Sequence, residues 1–362
     1  MDITVNSGYK LNMAYSGESN YGSAATVDTS VGLVQSINPT EVNNLMKFRT
    51  LGGTRDYTAI LPGKFECNGS FEYLLQDGKF LRQVFGEDTG TGAVVDSGPR
   101  TFATTTYFHC MGSAASPTTD SFPSFTMEFA DDEGLTKGTY NLHRTFTGCR
   151  VNTMGLSATV DDALKVSVDY IGQGVTVSTA AATVVAESTK DPYVFYQGGI
   201  YSTSGAITGI SAQVSANQIA EVNNFNFNVN NNLEAIWYVS GTTNAYQTTR
   251  GLKKLIVKGR DYDASLGLHF KDKEMYSRFL GSNTAATAQT TLNKYQIALD
   301  FVRKGTIGTP LEDDDYLRIV LGSCAFNNIN ISGSPEDVVS QNIDVFVEKA
   351  KFYAVDEYQT YA

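Results

Sequence analysis

The side chains that could do chemistry are few and scattered. The 362-residue chain has three histidines, His109, His143 and His269, and four cysteines, Cys67, Cys110, Cys149 and Cys324. No cysteine pair has the Cys-x-x-Cys spacing of a metal or redox motif. His109 and Cys110 are adjacent within Tyr107-Phe108-His109-Cys110, but successive residues of a strand point to opposite faces and cannot chelate one ion. His269, between Leu268 and Phe270, reads as an exposed or hydrogen-bonded strand residue. The acidic clusters at 131–134 and 312–315 lack the Asp-x-Asp-x-Asp-Gly loop that arranges oxygens around calcium, and they read as solvated turns. Gly52-Gly53 and Gly198-Gly199 are not followed by Lys-Ser/Thr and a helix, so they are not phosphate loops. With no nucleophile, base and oxyanion donors assembled, the expectation is no catalysis, no cofactor and no metal.

Composition points instead to a scaffold. Charged residues make up 18%, below the usual quarter or so. Tyr and Phe number 20 each, and Gly 33, a β-rich composition with uncharged polar groups on exposed faces. Hydrophobic residues at 41% are enough for each half to bury a core. The net charge of −11, with no basic run, argues against tight nucleic-acid binding but not against DNA passing nearby. Four dispersed cysteines predict reduced thiols and assembly inside a cell. The opening Met1-Asp2-Ile3-Thr4-Val5-Asn6 shows no basic segment leading into an apolar one, so no secretory signal is expected there. No apolar run approaches a membrane span, so no membrane partner is expected.

Elements able to position anything are mostly strands. Residues 65–74, 165–171 and 224–230 alternate apolar and polar side chains, the pattern of strands with one buried face. Helices are expected over 77–85 and 272–280, each opened by an aspartate (Asp77, Asp272) and closed by a glycine (Gly86, Gly281). These helices expose a repeat. Residues 71–86 (FEYLLQDGKFLRQVFG) align without gaps on 266–281 (LGLHFKDKEMYSRFLG), 195 positions on. Upstream, Glu41-Val42-Asn43-Asn44 recurs as Glu221-Val222-Asn223-Asn224, 180 on. Downstream, Cys149, Asn152, Ser157, Asp162 and Asp169 fall on Cys324, Asn327, Ser332, Asp337 and Asp344, 175 on. Three matches in one order predict a duplicated domain, the first over 1–178 with an N-terminal arm, the second over 190–362.

The offsets place an insertion of 15 residues within 230–251 of the second copy and one of 20 within 87–124 of the first. Long loops in compact domains are commonly functional. Residues 1–36 have no clear counterpart and read as an extended arm, either docking on a neighbour or forming a partly disordered terminus. The connector between copies is expected within 173–205, near the small residues from Ser178 to Ala182.

In that order the motifs resemble the tail tube proteins of long-tailed phages. The resemblance is carried by the run from Glu221 to Glu234 (EVNNFNFNVNNNLE), by Ile331-Ser332-Gly333-Ser334-Pro335-Glu336-Asp337-Val338-Val339 leading into 343–348, and by the stretch from Gly148 to Gly172. It covers roughly 33–172 and 207–350. The first copy departs where Leu51-Gly52-Gly53-Thr54-Arg55-Asp56 stands in place of the Asn-rich stretch. The resemblance implies an all-β fold of two tandem β-sandwich or half-barrel tail-tube domains, each with one short flanking helix. It implies a non-enzymatic virion protein, assembled in the host cytoplasm, whose three chains give a pseudo-sixfold ring. Rings would stack into a tube that conducts DNA without specific binding. Its partners would be further copies of itself and other tail proteins: terminator, tape measure, baseplate and, in some tails, a sheath. A capsid decoration or baseplate subunit is the alternative. The expected stacking loop holds Asn230, Asn231, Asn232, Leu233, Glu234, Trp237 and Tyr238. The expected lumen groups are Glu66, Ser70 and Glu72 with their counterparts Asp261 and Ser265.

Overall fold

The structure is a computed structural model. It describes residues 11–51, 53, 55–86, 107–112, 122–131, 142–178, 185, 188–207, 218–219, 222–237, 250–303, 315–358 and 361. The first half holds β1 (Leu11–Gly17), β2 (Thr29–Ser30), β3 (Leu33–Val42), β4 (Met46–Phe48), β5 (Ala59–Leu61), β6 (Glu66–Leu74) and α1 (Arg82–Phe85), entered through a 3-10 turn at Lys79–Leu81. It continues with β7 (Tyr107–Gly112), β8 (Phe125–Asp131), β9 (Leu142–Thr159), β10 (Lys165–Gly172) and β11 (Gly174–Ser178). The second half holds β12 (Gly198–Thr203), β13 (Val222–Asn230), β14 (Glu234–Ile236), β15 (Lys254–Ile256), β16 (Asp261–His269) and α2 (Glu274–Leu280). It ends with β17 (Tyr295–Arg303), β18 (Asp315–Ser332), β19 (Ser340–Val347) and β20 (Lys349–Asp356). The fold is all-β with two short helices, as the period-two pattern requires.

The pairing pattern occurs twice. In the first half β3 pairs β6, β6 pairs β10, and β10 pairs β9; in the second, β13 pairs β16, β16 pairs β19, and β19 pairs β18. These two inner sheets join where β9 pairs β13, giving a continuous antiparallel path β3-β6-β10-β9-β13-β16-β19-β18. The outer sheets also correspond: β1-β8-β9-β11 matches β12-β17-β18-β20. Each 18-residue strand, β9 and β18, therefore serves both sheets of its repeat. Both change sheet at a left-handed residue, Gly148 (φ 63°) and Ser323 (φ 56°), which lie 175 positions apart.

Neither expected N-cap aspartate is the observed cap: each stands one residue before it, ahead of Gly78 and of Lys273, and accepts a backbone N–H in the turn that leads into the helix. Asp77 Oδ1 accepts the Lys79 N–H at 3.1 Å and Asp272 Oδ1 accepts the Glu274 N–H at 2.8 Å. Gly86 (φ 101°) and Gly281 (φ 125°) close the helices in a backbone region that suits glycine. Residues 77 and 78 themselves precede the first helical turn.

The structure corrects three expectations. The Glu-Val-Asn-Asn match at 180 is accidental: Glu41 and Val42 end β3 opposite Cys67 and Glu66, whereas Val222 begins β13 opposite Leu268. Strand pairing instead aligns Ile37 with Phe225, since their partners Phe71 and Leu266 are themselves equivalent, an offset of 188. With that alignment ten residues separate β4 from β5 and seventeen separate β14 from β15, so the second hairpin is longer by seven, not 15. Second, much of 1–36 is no arm. β1 pairs β8 along its whole length, and β1 and β12 both bury four consecutive residues. A strand covered on both faces loses its alternation, so its periodicity is silent. Third, Asp315 of the second acidic cluster is no solvated turn. It meets Lys190 at 2.9 Å and Arg303 at 3.0 Å, and burial pushes its carboxyl above the usual range. Residues 132–134 and 312–314 of those clusters, and the connector at 179–182, lie outside the described residues.

One buried cluster runs through both repeats. Phe80 sits edge-on to Tyr15 (5.0 Å), Phe71 (5.3 Å) and Phe125 (5.4 Å) within the first repeat. Phe85, at the end of α1, stacks on Phe227 (6.4 Å) and Phe352 (5.8 Å) of the second. β7, from the long insertion of the first repeat, adds a strand beyond β20 of the second.

Candidate functional site

Because side chains alternate along each strand, the inner sheet has one apolar and one polar face. The apolar face supplies Phe71, Val166, Leu156, Phe227, Leu266 and Ile343 to the core. The polar face reads across strands in unbroken rows. Asn38, Ser70, Asp169, Thr153, Asn230 and Asp261 stand opposite one another in turn. A second row runs Ser36, Glu72, Ser167, Gly155, Asn228 and Asp263. The expected lumen residues Glu66, Ser70, Glu72, Asp261 and Ser265 all alternate onto this face. Sequence reasoning missed Asp169, Asp263 and Asp344, which share it. Lys165 on the same strands is tied to Asp162 at 2.8 Å. Arg150 is drawn off it, donating to the Leu255 carbonyl at 3.1 Å and lying over Tyr21 at 4.7 Å. The face is therefore acidic and amide-rich.

At one end of the sheet stand two hairpins, β4–β5 and β14–β15. They touch: the Phe65 N–H donates to the Arg250 carbonyl (2.9 Å), and Arg250 reaches Asn43 Oδ1 (2.8 Å). The expected stacking residues divide here. Asn230 ends β13, and Asn231 is fully buried. Asn232 adopts φ 48° and donates to the Gly259 carbonyl (2.7 Å) and Asp261 Oδ2 (2.6 Å). Leu233 donates its N–H to Asn152 Oδ1 at 3.0 Å. Glu234 begins β14 and pairs Lys258 at 2.5 Å. Trp237 is half-buried with Lys64 Nζ 4.4 Å from its ring. Tyr238 lies outside the described residues. Residues 230–233 are thus the turn that seats the hairpin. In the first repeat Asn44, at φ 43°, repeats the role of Asn232, donating to the Lys64 carbonyl and Glu66 Oε2. The signal was present in sequence as Asn43-Asn44-Leu45 and Asn231-Asn232-Leu233, 188 apart.

The first hairpin is apolar and exposed: Leu45 (56%), Met46 (46%), Phe48 (45%), Ile60 (55%) and Leu61 (48%) all face outward. Exposed apolar patches of this kind mark interaction surfaces.

The join between repeats is the other built feature. β9 and β13 pair from Thr153–Asn230 to Thr159–Asn224. Past the end of the ladder, Asn231 closes the seam. Its N–H donates to the Asn152 carbonyl (2.8 Å) and its Nδ2 to the Val151 carbonyl (3.0 Å), while its Oδ1 accepts from Arg260 Nε (2.7 Å). Every polar atom of this buried amide group is engaged, as burial demands.

Three of the four cysteines and two of the three histidines are buried, Cys110 being partly covered and His269 exposed. Burial pushes the Cys67 and Cys324 thiols up to about 12 and raises Cys149 as well, which suppresses the thiolate. His109 is buried against the Tyr358 carbonyl (2.8 Å), and His143 meets Glu128 at 3.0 Å. Among the described residues no three His, Cys, Asp or Glu groups gather to hold a metal. No described helix is long and apolar enough to cross a membrane.

Nothing among curated proteins matches the chain. A family model described as phage tail tube protein matches residues 8–345, spanning both repeats, and the chain belongs to that family as a structural subunit of the viral tail tube.

Proposed function

We propose that three copies form a ring of six repeats, that the polar face of the inner sheet lines its channel, and that stacked rings conduct DNA. The reading is supported above all by the eight-strand path through both repeats, apolar towards the core and acidic on the other side, with the outer edges of β3 and of the C-terminal half of β18 unpaired among the described residues. An open antiparallel sheet has unpaired backbone groups at its edges, and closing it into a barrel removes them. DNA passage needs a wall that does not hold phosphate. Each Lys or Arg contact releases counterions and strengthens binding, whereas Glu72, Asp169 and Asp263 repel. The exposed β4–β5 hairpin, beside Trp237 and the β14–β15 hairpin, stacks one ring on the next. Terminator, tape measure, baseplate and, in some tails, sheath proteins are then the other contacts of a tube built in the host cytoplasm.

Electron microscopy of the purified chain tests this. Hollow tubes with three chains per ring are expected; solid filaments, or six chains per ring, would overturn it. The lumen assignment has its own check. Tubes carrying Glu72→Lys and Asp263→Lys should retain DNA in a salt-sensitive way while the unaltered tubes do not.

A further inference from the structure

The inner sheets of the two repeats meet at the β9–β13 seam, and the geometry of that seam can be carried to a second place. β9 and β18 are equivalent, 175 positions apart, and so are β3 and β13, 188 apart. Inside the chain β9 holds β13. The same edge of β18, and the same edge of β3, carry no strand among the described residues. We propose that β3 of one copy pairs antiparallel with the C-terminal half of β18 of a second copy, Asn38 opposite Ser332 and Thr40 opposite Asn330, and that Asn43 closes this seam on Asn327. This rests on the self-assembling tube read above and gives its ring contact a residue register.

The register follows from two pairs. Ser157 faces Asn226 and Gly155 faces Asn228 within the chain. Their equivalents are Ser332 with Asn38 and Asn330 with Thr40. The clasp follows in the same way. Asn231 binds the backbone of Val151 and Asn152, and Asn152 Oδ1 accepts from Leu233. The chain keeps the corresponding residues as Asn43, Asn327 and Leu45, and all three are exposed.

Burial supports the assignment independently. Leu156, Ala158, Phe225 and Phe227, which flank the internal seam, are at most 3% exposed. At the open edge Ile331 is 41% exposed, and Ile329 and Ile37 are only partly covered. The helices show the same contrast. Phe80, Leu81, Val84 and Phe85 of the first repeat are buried, with Phe85 seated on Phe227 and Phe352. In the second repeat Tyr276 is 43% exposed, and Met275, Phe279 and Leu280 are only partly covered. The places corresponding to Phe227 and Phe352 are Pro39 and Val177, the latter 61% exposed. A second copy in this register brings Leu280 onto both.

Pro39 makes the new seam differ from the internal one. A proline sits within a sheet where its nitrogen faces away from the ladder. Its missing donor therefore lies on the open side, and the seam has one backbone hydrogen bond fewer than β9–β13. Thr40, the next residue, then turns its backbone towards β6 and meets Asn330 as a non-hydrogen-bonded pair. Such pairs bring Cα atoms to about 4.5 Å, within reach of a disulfide.

The test is cross-linking of the full chain during assembly. Thr40→Cys with Asn330→Cys should give covalent multimers on oxidation, while Thr40→Cys with Ser332→Cys, two residues out of register, should give none above the unaltered chain. Equal cross-linking from both pairs, or none from the first in particles that microscopy shows to be assembled, overturns the register and leaves the tube reading standing. A chain that remains monomeric at all concentrations overturns both. Asn327→Ala supplies a second readout: the assembly threshold should rise roughly tenfold, the loss of about one hydrogen bond, with the urea midpoint of the monomer unchanged. A lowered midpoint with an unchanged threshold would give Asn327 a role inside the chain and overturn the clasp.

Discussion

The two helices occupy equivalent places, yet α1 is sealed within the chain and α2 is not. Phe85 reaches across to the second repeat, whereas Leu280 is only partly covered. The outer sheets differ in the same sense. β20 is covered by β7, contributed by the first repeat, while β11 pairs only β9 among the described residues. The edge of β9 is thus paired within the chain, and the corresponding edge of β18 carries no strand among the described residues. Chemically similar strands can end as core or as surface according to whether their neighbour is in the same chain.

The largest effects come from places where the second repeat has committed more to its interior. Arg318 and Asp300 form a fully buried pair in its outer sheet, Nε to Oδ1 at 2.7 Å and Nη2 to Oδ2 at 2.6 Å. The position equivalent to Arg318 is His143, which meets Glu128 at 3.0 Å nearer the surface. Asp300→Ala strands the guanidinium and should cost about 3–5 kcal/mol in urea unfolding, and Glu128→Ala clearly less. Equal losses would remove the contrast between the outer sheets.

The helix contrast is checked next. Phe85→Ala should cost about 3–5 kcal/mol of monomer stability. Leu280→Ala should cost at most about 1–2 kcal/mol, since the side chain is only partly buried, and should show its main effect as weakened assembly. A Leu280→Ala monomer destabilised as much as Phe85→Ala would mean that α2 is already complete within the chain.

The sheet-switching corner differs by one side chain. Gly148→Ala forces a left-handed alanine whose Cβ would lie 2.6 Å from Gln173 Cβ, a loss of about 2 kcal/mol or more. Ser323→Gly relieves the equivalent backbone and should gain about 1 kcal/mol. Thermal unfolding of both variants measures the pair, and opposite signs are expected.

The smallest effect concerns Asp77, buried in the turn before α1. Burial holds the Asp77 carboxyl above its usual range. A carboxyl whose folded pKa is raised contributes most below its unfolded value and loses that contribution as pH rises through the folded one. Asp77→Asn keeps the acceptor for Lys79 and removes the titration. The variant should therefore gain on the unaltered chain as pH rises from the ordinary carboxylate range towards neutrality. A constant difference across that range would place the charge outside the protein interior.

Much of this was legible in the residues. Alternation over 165–171 and 224–230 fixes strands and their buried faces, because a side chain's face depends only on the parity of its position. The aspartate and glycine bracketing each helix act within a few residues of their own backbone. The match of 149–169 to 324–344 holds because the hairpins β9–β10 and β18–β19 keep the same spacing and register. What required the tertiary structure was everything set by a neighbour distant in sequence. β1 was silent because both its faces are covered. Four identical letters misaligned β3, since register is decided by hydrogen-bonded partners and not by residue names. Asn231 and Asn43 share one local sequence, but only the first lies where a partner strand, β9, completes its bonds. Sequence determines what each edge can pair with, and the tertiary structure decides which edge has already been paired, because closing a seam takes backbone groups that folding brings together.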